Sequence, residues 1–342
     1  ESRQTKSSAY SMKKVSFEEN KTFNKSISPY NQFDFRGKSF MSHSFDYSFV
    51  LKNFSFFGES SIASYSNKMG HLHGVLIALD PRVSLSLLYR NYDRAYQTLY
   101  NNGFSEGSNT QNERGIYFGA KIKISKSWTL NTYADYFTFP WMRYLVDAPS
   151  SGHEVLFQST YRPDKKLELY FRFRQQEKAR NSRYQDGTVT EIENVLQRNY
   201  RINFSYKVTE GITLKSRAEI MTLNRPSSPN ETGFLIYQDL LIRPKTWPID
   251  MSMRYAFFDT DSYETRLYAF ESNALYVFSV PAYFYKGTRA YLMVRWTFLR
   301  KFDLWARYAV NLYTDRDSLG SGAEMIKTNR KSEVTLQLRV KL

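Results

Sequence analysis

Segments of about ten residues in which apolar and polar residues alternate recur along nearly the whole chain, and this pattern most constrains its fold. Between residues 167 and 176, and again between 201 and 208, every second side chain is apolar and the others are polar. Successive side chains of a strand point to opposite faces, whereas a helix would scatter them around its axis. The same alternation recurs at 116–124, 212–222, 251–257, 290–298 and 304–313. The chain is therefore predicted to be all-β, an antiparallel up-and-down transmembrane β-barrel of a bacterial outer membrane.

Short turns and long loops separate these segments in alternation. The short connections are 80–82, 125–127, 162–166, 209–211 and 299–303, and the long ones are 101–112, 139–152, 177–191, 224–231 and 314–330. Membrane barrels have short periplasmic turns and longer extracellular loops, so the long set is predicted to be extracellular.

Counting back from the C-terminus gives roughly seventeen strands from Ser39 onward and a weaker one near residues 10–17. The total expected is 16–18, with more strands possible upstream because single-chain barrels usually have an even number. Residues 1–38 are interpreted as an N-terminal strand and lead-in segment, and residues 39–342 as one barrel domain. No export signal is visible at residues 1–10, so the chain is expected to be the C-terminal part of a longer protein.

The last segment alternates up to the final residue of the chain. Its apolar set is Val334, Leu336, Leu338, Val340 and Leu342. This pattern resembles the signal by which the outer-membrane assembly machinery recognises its clients, although an aromatic residue is commoner at the last position. The alternative is an ordinary edge strand of a soluble sheet.

Aromatic residues make up 17% of the chain, yet its mean hydropathy is −0.55. No apolar run approaches the 18 or so residues that a membrane-spanning helix needs. Barrels place aromatic residues in girdles at both bilayer interfaces, and Trp128, Tyr136, Trp141, Trp247 and Trp296 are candidates. A soluble single-strand nucleic-acid binder would instead place a few rings on one concave face. Without cysteine, disulfides and thiolate chemistry are excluded.

The formal net charge is +15, and the basic residues are scattered singly through the alternating segments. If the apolar faces meet lipid, the polar faces line the lumen. The basic residues on these faces are Lys121, Lys123, Arg172, Arg174, Arg201, Lys207, Lys215, Arg217, Arg254, Arg289, Arg295, Arg307, Arg339 and Lys341. Fewer acids, including Asp46, Asp135, Glu168, Glu219 and Glu333, share them. A basic lumen would attract anions; alternatively, the charges form salt-bridge ladders that brace a closed barrel.

Metal and catalytic sites are weakly indicated. His71 and His73 share one strand face without a nearby carboxylate, and Asp259, Asp261 and Glu264 lack the glycine and spacing of an EF-hand. His153 beside two serines is the one Ser–His cluster near a loop, and no Gly-x-Ser-x-Gly motif is present. We therefore predict no enzymatic activity, no metal and no cofactor.

Several motifs resemble the barrel portion of a Bacteroidota outer-membrane family of helix-hairpin-helix domain proteins. They are FPWMRYLVDAPSSG at 139–152, FLIYQD at 234–239, FDTDSY at 258–263, ALDPR at 78–82, YRNY at 89–92, PAYFYKG at 281–287 and LGSG at 319–322. The resemblance implies a barrel preceded by a short segment similar to competence DNA-uptake proteins. This sequence lacks that segment, so nucleic-acid binding is implied only for a region absent from it. The resemblance supplies no catalytic residues.

Two functions remain open at this point. The first is a barrel for transport or binding, of anionic solutes or of nucleic acid in an uptake system. The second is a structural subunit of a larger outer-membrane secretion or assembly complex, with its lumen plugged. The expected partners are outer-membrane lipid, the assembly machinery and other envelope proteins.

Overall fold

The computed structural model describes residues 6–16, 26–98, 103–183, 190–299 and 301–341, with side chains from residue 26 onward. Sixteen of its eighteen strands form one sheet, in which each strand pairs with its neighbours along the chain. The strands are β1 Lys6–Ser16, β2 Ser39–Leu51, β3 Phe54–Ala63, β4 Lys68–Asp80, β5 Val83–Tyr92, β6 Glu113–Lys123, β7 Trp128–Phe139, β8 Ser150–Tyr161, β9 Leu167–Asn181, β10 Ile192–Lys207, β11 Ile212–Arg225, β12 Ser228–Ile242, β13 Ile249–Thr260, β14 Leu267–Tyr268, β15 Ala282–Tyr283, β16 Lys286–Phe298, β17 Phe302–Tyr313 and β18 Arg330–Val340.

From residue 39 onward the described residues form seventeen strands, β2 to β18, which agrees with the predicted count of roughly seventeen. The main sheet has fifteen strands from β2 onward, because β14 and β15 pair only with each other within the described residues. The weak N-terminal alternation does form a strand, β1, which pairs antiparallel with β2. The sheet therefore has sixteen strands, within the predicted range of 16–18.

The two faces of the sheet differ as the alternation predicts. On the outward face, Ile202, Ile236 and Phe257 are 51–53% exposed. On the inward face, Leu235 and Arg254 are 0% and 4% exposed. A continuous exposed apolar band around strands whose inner face is polar is stable in lipid and not in water. The chain is an antiparallel β-barrel protein of the outer membrane, with its long loops on the extracellular side by the turn-length rule.

Each of the three helical segments in the described ranges is a three-residue 3-10 turn. None of them is long or apolar enough to cross a membrane.

The sheet ends at β1 and β18, and no pairing joins these two strands within the described residues. Because sixteen consecutive strands alternate in direction, β1 and β18 run antiparallel to each other. Direct pairing between them would have the same geometry as every other pairing in the sheet. In lipid, the backbone groups along both edges require such partners.

A long connection between β13 and β16 folds back against the inner wall. Leu267 and Tyr283 of its β14–β15 hairpin are buried against Leu235 and Phe258. Further along, Ala274 packs with inward side chains of β16 and β17. The hairpin therefore occupies part of the lumen beside β12–β17, and we call it the inner hairpin (residues 267–283).

The predicted aromatic girdle is partly corrected. Trp128, Tyr136 and Trp296 are outward-facing and 44–61% exposed, and Trp247 is 69% exposed in the short turn after β12. Trp141 does not belong to the girdle. It lies in the loop after β7, where its ring packs edge-on against Phe33, because this loop bends over the barrel mouth.

Candidate functional site

The predicted lumen residues all fall on the inward face, and most of the arginines among them are paired with carboxylates. Arg201 on β10 makes two hydrogen bonds of 2.8 Å to Glu219 on β11. Arg254 on β13 binds Asp239 on β12 at 2.6 and 2.8 Å. These bidentate pairs join neighbouring strands and brace the wall. The salt-bridge interpretation therefore describes this part of the interior.

A third bidentate pair joins β9 to β8. Arg174 reaches Glu154 at 2.7 and 2.6 Å, and Gln176 donates to the same carboxylate at 2.6 Å. Glu106, from the loop between β5 and β6, accepts from Gln176 at 2.9 Å and pairs with Lys178. The extracellular loop is thereby anchored to the wall.

Toward β18, two carboxylates each hold several basic residues. Asp303 on β17 pairs with Arg295, Arg339 and Lys341. Glu271 of the inner hairpin is fully buried between Arg289 and Arg307, with Arg289 Nε 2.7 Å from Glu271 Oε1. Arg289 and Arg307, both predicted to face the lumen, therefore hold the inner hairpin against the wall.

Sequence reasoning missed the most buried ion cluster. Arg90 on β5 is fully buried between Glu113 and Asp135, at 2.6 Å from Glu113 and 2.8 and 3.0 Å from Asp135. The signal was available, because Arg90 alternates with outward-facing Leu87 and Tyr89 on a strand without other basic residues.

The candidate functional site is a group of inward-facing arginines that outnumber the carboxylates available to pair with them. Arg172 on β9 lies directly opposite Arg201 on β10 in the strand register. Like charges opposite each other destabilise a sheet. Arg172 donates to the neutral Gln158 at 2.7 Å, and within the described residues no carboxylate lies within 4.0 Å of it. Arg217 on β11 approaches Glu219 no closer than 3.9 Å, and that carboxylate is already paired with Arg201.

A cavity of about 280 Å³ opens beside these arginines. Its lining includes Arg172, Arg174 and Arg201 together with Glu154 and Glu219. Counting Arg217, which also contacts Glu219, four guanidinium groups face two carboxylates and leave an excess of two positive charges. Such an excess attracts anions from solution by field focusing.

Lysines extend the positive charge from this site. Lys121, Lys123 and Lys215 have no ion pair within the described part of the chain, and Lys121 lines another cavity of about 400 Å³. Lys207 lies near the periplasmic turn, where its Nζ is 3.3 Å from Glu210. The inward face thus combines braced pairs with basic residues that have no ion pair in the described part of the chain, on β6, β9 and β11.

The other candidate residues lie elsewhere. His71 and His73 face outward, where Ser60 Oγ is 2.9 Å from His71 Nδ1 and 3.5 Å from His73 Nε2. His153 stacks on outward-facing Tyr136. No group of three or more metal-ligating side chains occurs in the residues that the structure describes.

Asp259 at the end of β13 and Asp261 and Glu264 in the turn after it all have partners within the protein. Asp261 accepts from the backbone and hydroxyl of Thr232, Glu264 pairs with Arg183, and Asp259 pairs with Lys286. These contacts explain the cluster as a structural turn. In the C-terminal segment, Val334, Leu336, Leu338 and Val340 are outward-facing and 49–71% exposed, while Leu342 lies outside the described residues.

No protein-family model matches the chain. Argininosuccinate synthase of Pelagibacter ubique (strain HTCC1062) is 96% identical over 25 residues, which are 7% of this chain and 6% of that protein, and so short a match shows no family.

Among solved structures, the chain is similar to OmpT of Vibrio cholerae, with a TM-score of 0.44 and 12% identity over 98% of this chain and 99% of that chain. It is also similar to an anion-selective porin from Comamonas acidovorans, with a TM-score of 0.44 and 11% identity over 98% and 99% of the two chains. The RagAB peptide transporter gives a TM-score of 0.46 and 9% identity over 89% of this chain and 49% of that chain. At these identities and TM-scores, the similarities assign no function.

Proposed function

We propose that this outer-membrane barrel binds anionic solutes in its lumen and lets them pass. The observation that carries the proposal is the opposed pair Arg172 and Arg201. Within the described residues Arg172 has no carboxylate within 4.0 Å, and Arg201 shares its only carboxylate, Glu219, with a third arginine, Arg217. An anion that bridges the guanidinium groups would remove their repulsion through charge-assisted hydrogen bonds. Rings of arginine and lysine are a general means of anion selection in pores.

The test is recording of the purified barrel in planar lipid bilayers under a salt gradient. The wild-type reversal potential should show anion preference, and Arg172→Gln should reduce that preference because one uncompensated lumen charge is lost. The matched control is Arg198→Gln, since Arg198 lies on the outward face of β10 and donates to Gln175 at 2.9 Å. The control should keep the wild-type reversal potential. Equal reversal potentials for all three proteins would contradict the proposal.

A structural role within a larger envelope assembly is the second candidate. The observation that favours it is the inner hairpin, which Glu271 fixes inside the lumen through Arg289 and Arg307. A barrel plugged in this way would be silent in the bilayer recording, whereas a conducting barrel would argue against it.

Membership of the helix-hairpin-helix family is a proposal that is based on the sequence motifs alone. The same holds for a role in DNA uptake. Fluorescence anisotropy with a labelled DNA oligonucleotide tests it for this chain. The resemblance attributes DNA contact to a region absent from the sequence, so we expect only weak binding that disappears as salt is raised.

A further inference from the structure

A third cavity, of about 620 Å³, lies at the extracellular mouth, away from the lumen arginines. Three loops form it: the connection before β2, the loop between β5 and β6, and the loop between β7 and β8. Its volume falls within the range of about 300–1,000 Å³ that is usual for small-molecule sites.

Hydrogen bonds between the loops hold this cavity in shape. Asn112 exchanges two hydrogen bonds with the backbone of Trp141, at 2.9 and 2.8 Å. The Trp141 indole donates to the carbonyl of Pro29 at 3.0 Å, and the Gln111 amide donates to Asp34 at 2.9 Å. The three loops are therefore tied to one another, and a ligand would meet a preformed site.

Two buried polar atoms in the cavity lining have no hydrogen-bond partner among the described residues. They are Arg143 Nε, a donor, and Gln111 Oε1, an acceptor. Buried polar groups without partners are rare in proteins, and a site for a bound ligand or water is a common explanation. The cavity thus offers both a donor and an acceptor.

Arg143 also lacks a direct ion pair within the described residues. Its guanidinium stacks on the Phe139 ring at 3.6 Å from the centroid, and no carboxylate lies within 4.0 Å of it in the described chain. Burial, together with Arg180 nearby, lowers the pKa of Arg143. An arginine nevertheless stays charged at neutral pH, so an anionic group at this position would be stabilised.

The rest of the lining suits a hydroxyl-rich ring. Tyr30 and Tyr144 meet edge-on at 5.6 Å and are 39% and 67% exposed at the rim. Asn109 and Gln111 add side-chain amides that can both donate and accept. Aromatic rims pack against apolar ring faces while amides bind hydroxyl groups.

We propose that this cavity is an extracellular binding site for an acidic sugar, with Arg143 binding its carboxylate and Gln111 a hydroxyl group. The site goes beyond the lumen function and does not depend on it, since ligand binding at the mouth and ion conduction are measured separately.

The test is isothermal titration calorimetry of the full chain in detergent with digalacturonic acid. Wild type should bind it, and Arg143→Gln should weaken binding about tenfold or more, because a charge-assisted hydrogen bond is lost. Tyr144→Ala should also weaken binding without preventing folding, because the ring is 67% exposed. Heat-modifiable gel migration of every variant checks that it folds. Arg162→Gln, in a periplasmic turn, is the control and should bind like wild type.

Three further probes distinguish the alternatives. A neutral disaccharide that bound as tightly as digalacturonic acid would overturn the role of Arg143. Inorganic sulfate or an acidic dipeptide that bound as tightly would show a general anion or peptide site and overturn the sugar assignment. Absence of digalacturonic acid binding to folded wild-type protein would also overturn it.

Discussion

Replacement of Arg90 by methionine tests how the interior stabilises the barrel. Arg90 is fully buried and supplies one hydrogen bond to Glu113 and two to Asp135. In this variant Glu113 would still accept the hydrogen bonds of 2.8–3.0 Å from the backbone amides of Glu106 and Gly107. Asp135, only 5% exposed, would lose both of its bonds to the guanidinium. Most of the loss in stability should therefore come from the unpaired carboxylate of Asp135.

The expected cost is about 3–5 kcal/mol of unfolding free energy, which is usual when one partner of a buried ion pair is removed. Adding Asp135→Asn to Arg90→Met removes the stranded charge and should restore about 2 kcal/mol. The double variant would then be more stable than the single one. Such a rescue separates an electrostatic cost from a simple loss of packing.

Denaturant-induced unfolding in lipid vesicles, followed by tryptophan fluorescence, measures these free energies. Arg162→Met on an exposed turn is the control and should stay within about 0.5 kcal/mol of wild type. A loss below about 1 kcal/mol for Arg90→Met, or no rescue by Asp135→Asn, would refute the reasoning.

Three further predictions follow from packing and charge. Gly115→Ala should destabilise the barrel, because the new Cβ would lie 2.4 Å from Arg90 Cζ. The control Gly107→Ala should be tolerated, since its Cβ would come no closer than 3.4 Å to another atom. Equal unfolding midpoints for the two variants would contradict this prediction. Glu271→Gln should loosen the inner hairpin and speed its cleavage by chymotrypsin, and an unchanged cleavage rate would count against its anchoring role. Burial raises the pKa of Glu106, so its contribution to stability is present below the ordinary glutamate pKa and is lost as pH rises above it. Unfolding titrations should show this loss in wild type and a flatter profile in Glu106→Gln; parallel profiles would disprove it.

The strand pattern was readable because it is local. Alternation at residues 167–176 and 201–208 requires only that one face meets lipid and the other does not, and the register of β9 and β10 agrees with it. The alternation did not show that two of the seventeen strands counted from residue 39 lie outside the main sheet. Whether residues 267–283 enter the sheet depends on contacts with Leu235 and Phe258, which are distant in sequence.

The two candidate sites differ in the same way. The alternation predicted that Arg172 and Arg201 share the inward face, but not that they lie opposite each other or that Arg201 and Arg217 share Glu219. The mouth cavity was not predicted, because Arg143, Gln111 and Tyr30 come from three separate loops. Loop residues carry no periodicity from which their positions can be inferred.

The sequence by itself determined the strands, their lipid-facing side, the basic inner face and the extracellular loops, because each follows from a period of two residues and from turn lengths. Only the tertiary structure decided which charges are neutralised and which remain. That outcome depends on strand register and on where long loops fold, and Glu271, the carboxylate that neutralises Arg289 and Arg307, arrives from a loop. Ion pairing requires approach within a few ångströms, which a one-dimensional pattern does not specify.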